Sequence, residues 1–147
     1  GAITALIGVA RYLQKPYTAV TIQPIHPRFS YLPYVEEITR DQSVVRDESY
    51  DVAIIPDAGD VRYTGTASLF QLLRGRPTLI NIDHHVTNEH YGDINVVDSN
   101  ASSTTELLTT ILRHHEVPVT PRMATSLLTG IVTDTGNFSN PATTESS

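Results

Sequence analysis

Asp83-His84-His85 places a carboxylate and two imidazoles on consecutive positions just after the apolar run Thr78-Leu79-Ile80. Two further acids, Asp57 and Asp60, follow a second apolar run, Val52-Ala53-Ile54-Ile55-Pro56. Another, Asp134, closes an apolar helical stretch beside Gly136, where the backbone can turn sharply. In open α/β sheets, ligands bind beyond the carboxyl ends of the strands, so the two strand-end clusters should face one crevice. An acid that loses water without gaining a partner costs free energy, and acids pointed at one crevice repel each other. Divalent cations cancel that repulsion. Oxygen and imidazole donors without sulfur suit manganese, magnesium or iron better than a structural zinc site. Two such ions about 3.5–4 Å apart can ionise a water and brace an in-line phosphoryl displacement. The residues alone lead to a candidate carboxylate–histidine metal site.

Periodicity names the elements that must position these groups. Ile3, Leu6, Ile7, Ala10 and Leu13 recur at helical spacing, predicting a helix over 2–14 that Pro16 stops. Residues 19–22 read as a short strand, and Tyr34 to Ile38 as a helical turn or two. Residues 51–55 and 79–82 read as buried strands, with a helix over 66–74 between them, and 93–97 as a further short strand. Ser103-Thr104-Thr105-Glu106 is a capping-box pattern ahead of Leu107, Leu108, Ile111 and Leu112. Thr120-Pro121 opens a last helix with proline at its first position. Strands alternating with helices predict an α/β fold, a mainly parallel sheet flanked by helices on both faces.

The 147 residues favour one domain. Cysteine is absent, which removes disulfides, zinc–thiolate sites and cysteine nucleophiles and fits a reducing, cytoplasmic setting. No apolar run approaches the roughly 18–20 residues that span a bilayer. The net charge is −6, with Arg74 and Arg76 the densest basic spot. A long duplex calls for a basic face, so a nucleic-acid substrate should be short. The first residue falls inside a helix pattern, and residues 142–147 resemble a helix start that is not continued, as expected of a piece cut from a longer protein.

"NIDHH", preceded by "IIPDAGD" and followed by "GIVTDTGNF", resembles the DHH phosphoesterase superfamily, and "ASSTTELL" resembles the segment after DHH in its nanoRNase/pAp phosphatase branch. The resemblance implies a Rossmann-like DHH domain over 1–147, truncated at both ends, lacking the family's first Asp-x-Asp motif and its C-terminal substrate-binding domain. It implies a two-manganese site, with magnesium as the other candidate. By that resemblance Asp57 bridges the two ions, His84 and Asp134 ligate one of them, His85 touches the substrate phosphate, and Asp83 orients the histidines from behind. The implied activity is hydrolysis, by metal-activated water, of short single-stranded RNA and 3′-phosphoadenosine 5′-phosphate. Cyclic-di-AMP phosphodiesterases and RecJ-type exonucleases share the chemistry. A non-catalytic nucleotide-binding module, or a homodimer, is also compatible with it.

Each of these residues has a plainer reading. Asp57 could be an Asx-turn or N-cap acid, Asp134 a C-terminal turn residue, and Asp83-His84-His85 a polar strand-to-loop junction. His114-His115 suits the C-terminal end of a helix without chemistry. Asp60 is a loop or supporting acid, Glu106 a capping residue, and His26 and His90 loop histidines. Arg62, Arg74 and Arg76 could draw phosphate but read as solvated surface.

Overall fold

The computed structural model describes residues 1–46, 48–61, 65–139, 141, 143 and 145. Arg62, and residues 142, 144, 146 and 147 of the expected unfinished helix, lie outside the described residues. The elements run α1 (Ala2–Tyr12), β1 (Ala19–Val20), β2 (Ile38–Thr39), β3 (Val52–Pro56), α2 (Thr66–Phe70), β4 (Thr78–Asp83), β5 (Ile94–Val97), α3 (Thr104–His114) and α4 (Pro121–Asp134). All strand pairings are parallel, and helices flank them, as the alternating pattern requires. The strands divide into two sheets, β1-β2 and β3-β4-β5. Between the sheets lies a cavity of about 360 Å³ lined by Ile3, Val20, Ile22, Val52, Ile54 and Leu69, among others.

The expected elements form with trimmed ends. The strand read over 19–22 keeps only Ala19–Val20, although Thr21 still donates its N–H to the Thr39 carbonyl at 2.9 Å. The turn expected after Tyr34 is a 3₁₀ turn, Val35–Glu37. The helix read over 66–74 stops at Phe70. There Leu72 and Leu73 donate to the carbonyls three residues back, tightening the chain for its return to β4. Thr120 caps α4 by accepting from the Met123 N–H, with Pro121 at the first helical position.

β4 is the central strand, and its last residues Asn81, Ile82 and Asp83 are buried. Against it α1, α3 and α4 assemble the core: Ala2, Ala5, Ile82, Leu108, Leu112, Met123 and Leu127. Small residues set the helix spacing. A Cβ on Gly8 would come within 2.5 Å of the Met123 side chain, and one on Gly130 would overlap the side chain of Thr105. Among the described residues no helix is long and apolar enough to cross a membrane.

Gly130 gives opposing expectations from local and tertiary physics. A glycine-to-alanine change inside a helix gains about 1 kcal/mol from propensity alone, whereas overpacking a closed interface costs about 1–3 kcal/mol. Because Thr105 is itself buried and cannot retreat into solvent, Gly130→Ala should lower stability. Chemical denaturation decides the sign.

Candidate metal centre

Register brings the acids together. β3 and β4 pair with Pro56 opposite Ile82, so Asp57 and Asp83 leave the sheet at the same level. The Asp57 N–H donates to the Ile82 carbonyl at 2.9 Å, tying the two exits. Asp57 holds a left-handed backbone, φ 62°, which aspartate adopts at less cost than most residues. α4 ends at Asp134, and the chain then turns through Gly136 at φ 58°.

The imidazole of His84 is the meeting point. Its Nε2 lies 3.6 Å from Asp57 Oδ1 and 3.9 Å from Asp134 Oδ2. Its Nδ1 lies 3.3 Å from the Ala101 carbonyl. A carbonyl only accepts, so the hydrogen sits on Nδ1, and in the neutral ring Nε2 then carries the lone pair a ligating histidine needs. Asp57, His84 and His85 each offer a donor atom within 4.8 Å of one another.

Asp83 faces away from that meeting point and is fully buried. Its Oδ1 accepts from His85 Nδ1 at 2.7 Å and its Oδ2 from Asn88 Nδ2 at 2.6 Å, so both oxygens are satisfied. Asn88 also donates to the Ala58 carbonyl at 3.2 Å and accepts from Asn81 Nδ2 and the His90 N–H, both at 2.8 Å. Asn81 in turn donates to Asn95 Oδ1 at 3.2 Å across the β4–β5 pair. The Tyr91 hydroxyl donates to the same Ala58 carbonyl at 2.8 Å. Burial pushes that phenol up to about 12, helped by the charges of Asp83 and Asp60. The turn after DHH therefore clamps the loop that carries Asp57.

Electrostatics separate the groups. The hydrogen bond to Asp83 raises the His85 pKa above the usual imidazole range, against partial burial. Burial raises the Asp134 carboxyl, and the negative charge of Asp57 adds to it. The donor set is thus carboxylate and imidazole, crowded by like charge, with one imidazole lone pair aimed into it. These features fit a divalent cation.

The expected site residues Asp57, His84, His85 and Asp134 converge, and Asp83 supports His85 from behind. Asp60 lies on the loop after β3, outside the His84 convergence. Glu106 is occupied with capping. Its Oε2 accepts from the Ser102 N–H at 2.7 Å and the Ser102 hydroxyl at 2.6 Å, one residue further back than the usual box. His114 and His115 form an edge-on pair at the end of α3, with ring centres 5.0 Å apart. His26 caps a 3₁₀ turn through its Nδ1. Arg76 pairs at 3.3 Å with Asp93. Sequence reasoning missed Asn88 and Thr104. The Asx-turn character of Asn88-Glu89-His90 was a readable signal for the first. Thr104 was hidden inside the capping pattern; its hydroxyl donates to Asp57 Oδ1 at 3.0 Å.

Comparison with known proteins extends the geometry. The sequence model described as "DHH family, N-terminal domain" matches residues 2–131. A probable bifunctional oligoribonuclease and PAP phosphatase of Streptococcus mutans is 29% identical, over 97% of this chain and 44% of its own length. The bifunctional oligoribonuclease and PAP phosphatase of Bacillus subtilis is 28% identical, over 94% and 43%. The chain therefore spans less than half the length of these relatives. A crystal structure of an exopolyphosphatase-related protein from Bacteroides fragilis superposes with a TM-score of 0.82 at 21% identity, over 98% of this chain and 45% of that one. At that identity the likeness bears on the fold alone.

Asn88→Ala removes the donor to Asp83 Oδ2 and one of the two acceptors of the Asn81 amide, which keeps Asn95. A buried group left unsatisfied costs about 1–3 kcal/mol. We expect a loss of about 2–6 kcal/mol in unfolding free energy by denaturant titration, summing two such groups. A loss under about 0.5 kcal/mol, as at an ordinary surface site, would show the turn is not a clamp.

Proposed function

The chain belongs to the DHH family through its N-terminal domain, and from that premise we propose that it carries the metal centre of a phosphoesterase acting on short oligoribonucleotides and on 3′-phosphoadenosine 5′-phosphate. The observation that carries this reading is the aim of His84 Nε2 at Asp57 and Asp134 from three separate parts of the chain. The names of the two bacterial relatives support the substrate class. The net charge of −6 favours a short substrate over a long duplex.

Asp57, His84 and Asp134 would hold divalent ions, manganese by preference and magnesium as the other candidate. Asp57 would be the ligand that both ions share. When bound, the ions supply charge that activates a water and braces the phosphoryl oxygens. The protein's own groups do the rest. Asp83 holds the Nδ1–H of His85, so that Nε2 is the nitrogen left to meet substrate. With its pKa raised, His85 holds a proton there more readily and can donate to a phosphoryl oxygen as negative charge develops. Asp83 touches no substrate in this scheme; it fixes the tautomer and angle of the ring.

In the full-length protein, Asp57→Ala should abolish manganese-dependent release of AMP from a dinucleotide and from 3′-phosphoadenosine 5′-phosphate. Retained turnover would contradict the shared-ligand role. His85→Ala should lower turnover about 10²–10³-fold, the usual cost of one donor to a developing charge, while manganese binding by calorimetry stays near wild type. Loss of metal instead would exchange the roles of His84 and His85. Consumption of cyclic-di-AMP with the two other substrates untouched would move the protein to another branch of the family.

A further inference from the structure

Four consecutive hydroxyl residues, Ser102 to Thr105, are buried to 2% exposure or less at the start of α3. Buried hydroxyls are costly unless bonded, so each should have a task. Ser102 bonds Glu106 through both its N–H and its hydroxyl. Ser103 caps the helix by accepting from the Glu106 N–H at 3.0 Å. Thr105 bonds the Ser103 hydroxyl at 2.9 Å and packs onto Gly130 of α4. The Thr104 hydroxyl bonds out of this turn, to Asp57 Oδ1 at 3.0 Å.

Direction follows from chemistry: a carboxylate only accepts, so Thr104 donates its single hydrogen. Asp57 depends on such a partner. Its side chain is 44% exposed, so packing does little to choose its rotamer. The oxygen that Thr104 grips is the one facing His84 Nε2. The β-branch of Thr104 restricts χ1, and its burial restricts it further. The turn that aims it is keyed through Thr105 to Gly130, four residues before Asp134 on the same helix. We propose that Thr104 is a positioning residue that orients the Asp57 carboxylate for a divalent cation, an inference that rests on the metal reading above.

The test is manganese binding to the full-length protein, followed by calorimetry and by the electron paramagnetic resonance of free Mn2+, with metal-free melting temperatures measured alongside. T104V keeps the shape and removes the donor, and it should weaken binding about 10-fold or more, as loss of a ligand-orienting partner does. T104A guards against a folding defect specific to valine and should weaken binding likewise. T104S restores the hydroxyl and should recover most of the affinity. Wild-type affinity in T104V and T104A overturns the proposal, as does a loss in T104S equal to that in T104V. Failure of the wild-type protein to bind Mn2+ would instead defeat the metal reading itself, and this inference with it.

Discussion

Like charge gathered at one edge of the sheet is the constraint to which the rest of the structure answers. Parallel strands in register must release their carboxyl ends together, and here both release aspartate. The fold handles each acid differently. Asp83 is taken out of water and given a charge-assisted hydrogen bond on each oxygen. Asp57 stays half exposed, held by a hydroxyl and faced by an imidazole. Asp134, partly buried, is pushed towards its protonated form by burial and by Asp57. The protein thus satisfies the acid behind the site with hydrogen bonds and leaves crowding in front of it.

That division places rigidity where the backbone would otherwise be loose. Residues 57–60 after β3 and 84–93 after β4 belong to no helix or strand. Asparagine side chains substitute for a ladder there. Asn95, Asn81 and Asn88 pass hydrogen bonds from β5 through β4 to Asp83 and the Ala58 carbonyl. A fully buried asparagine in the middle of a central strand would be a liability if unpaired; here it ties the chemistry-bearing loop to the sheet. Gly59 fits the same scheme, its Cα facing the side chains of Thr87 and His85 at van der Waals distance for any added Cβ.

Elements and chemistry were legible in the sequence to different depths. Apolar runs ending in acid located β3 and β4, and the helix caps at Ser103 and Thr120 were read from local pattern because capping is a local interaction. The convergence of Asp57 and His84 was legible from strand ends facing one crevice, whereas Asp134, which closes a helix, was joined to them by the family resemblance. The division of the strands into two sheets was not legible, because pairing between distant strands depends on tertiary placement that periodicity does not encode. Nor was the premature end of α2, where the turn closing on Gly75 overrides the spacing of Leu69, Leu72 and Leu73. Thr104 and Asn88 escaped for a related reason. Each is an ordinary polar residue locally, and its importance lies in a partner 47 residues away, or 30 in the case of Ala58.

His84 and His85 show how little sequence distance separates unlike chemistry. The rings lie 4.6 Å apart, on adjacent residues leaving the same strand. What distinguishes them is the partner of Nδ1. A backbone carbonyl from the loop before α3 holds one, fixing a lone pair on the nitrogen that faces the acids. A buried carboxylate holds the other, raising its affinity for a proton. Both partners sit behind the rings, so neither competes with anything entering from the crevice. An Asp83 side chain pointing forward would have added one more charge to the crowd, whereas pointing back it converts the second imidazole into a donor.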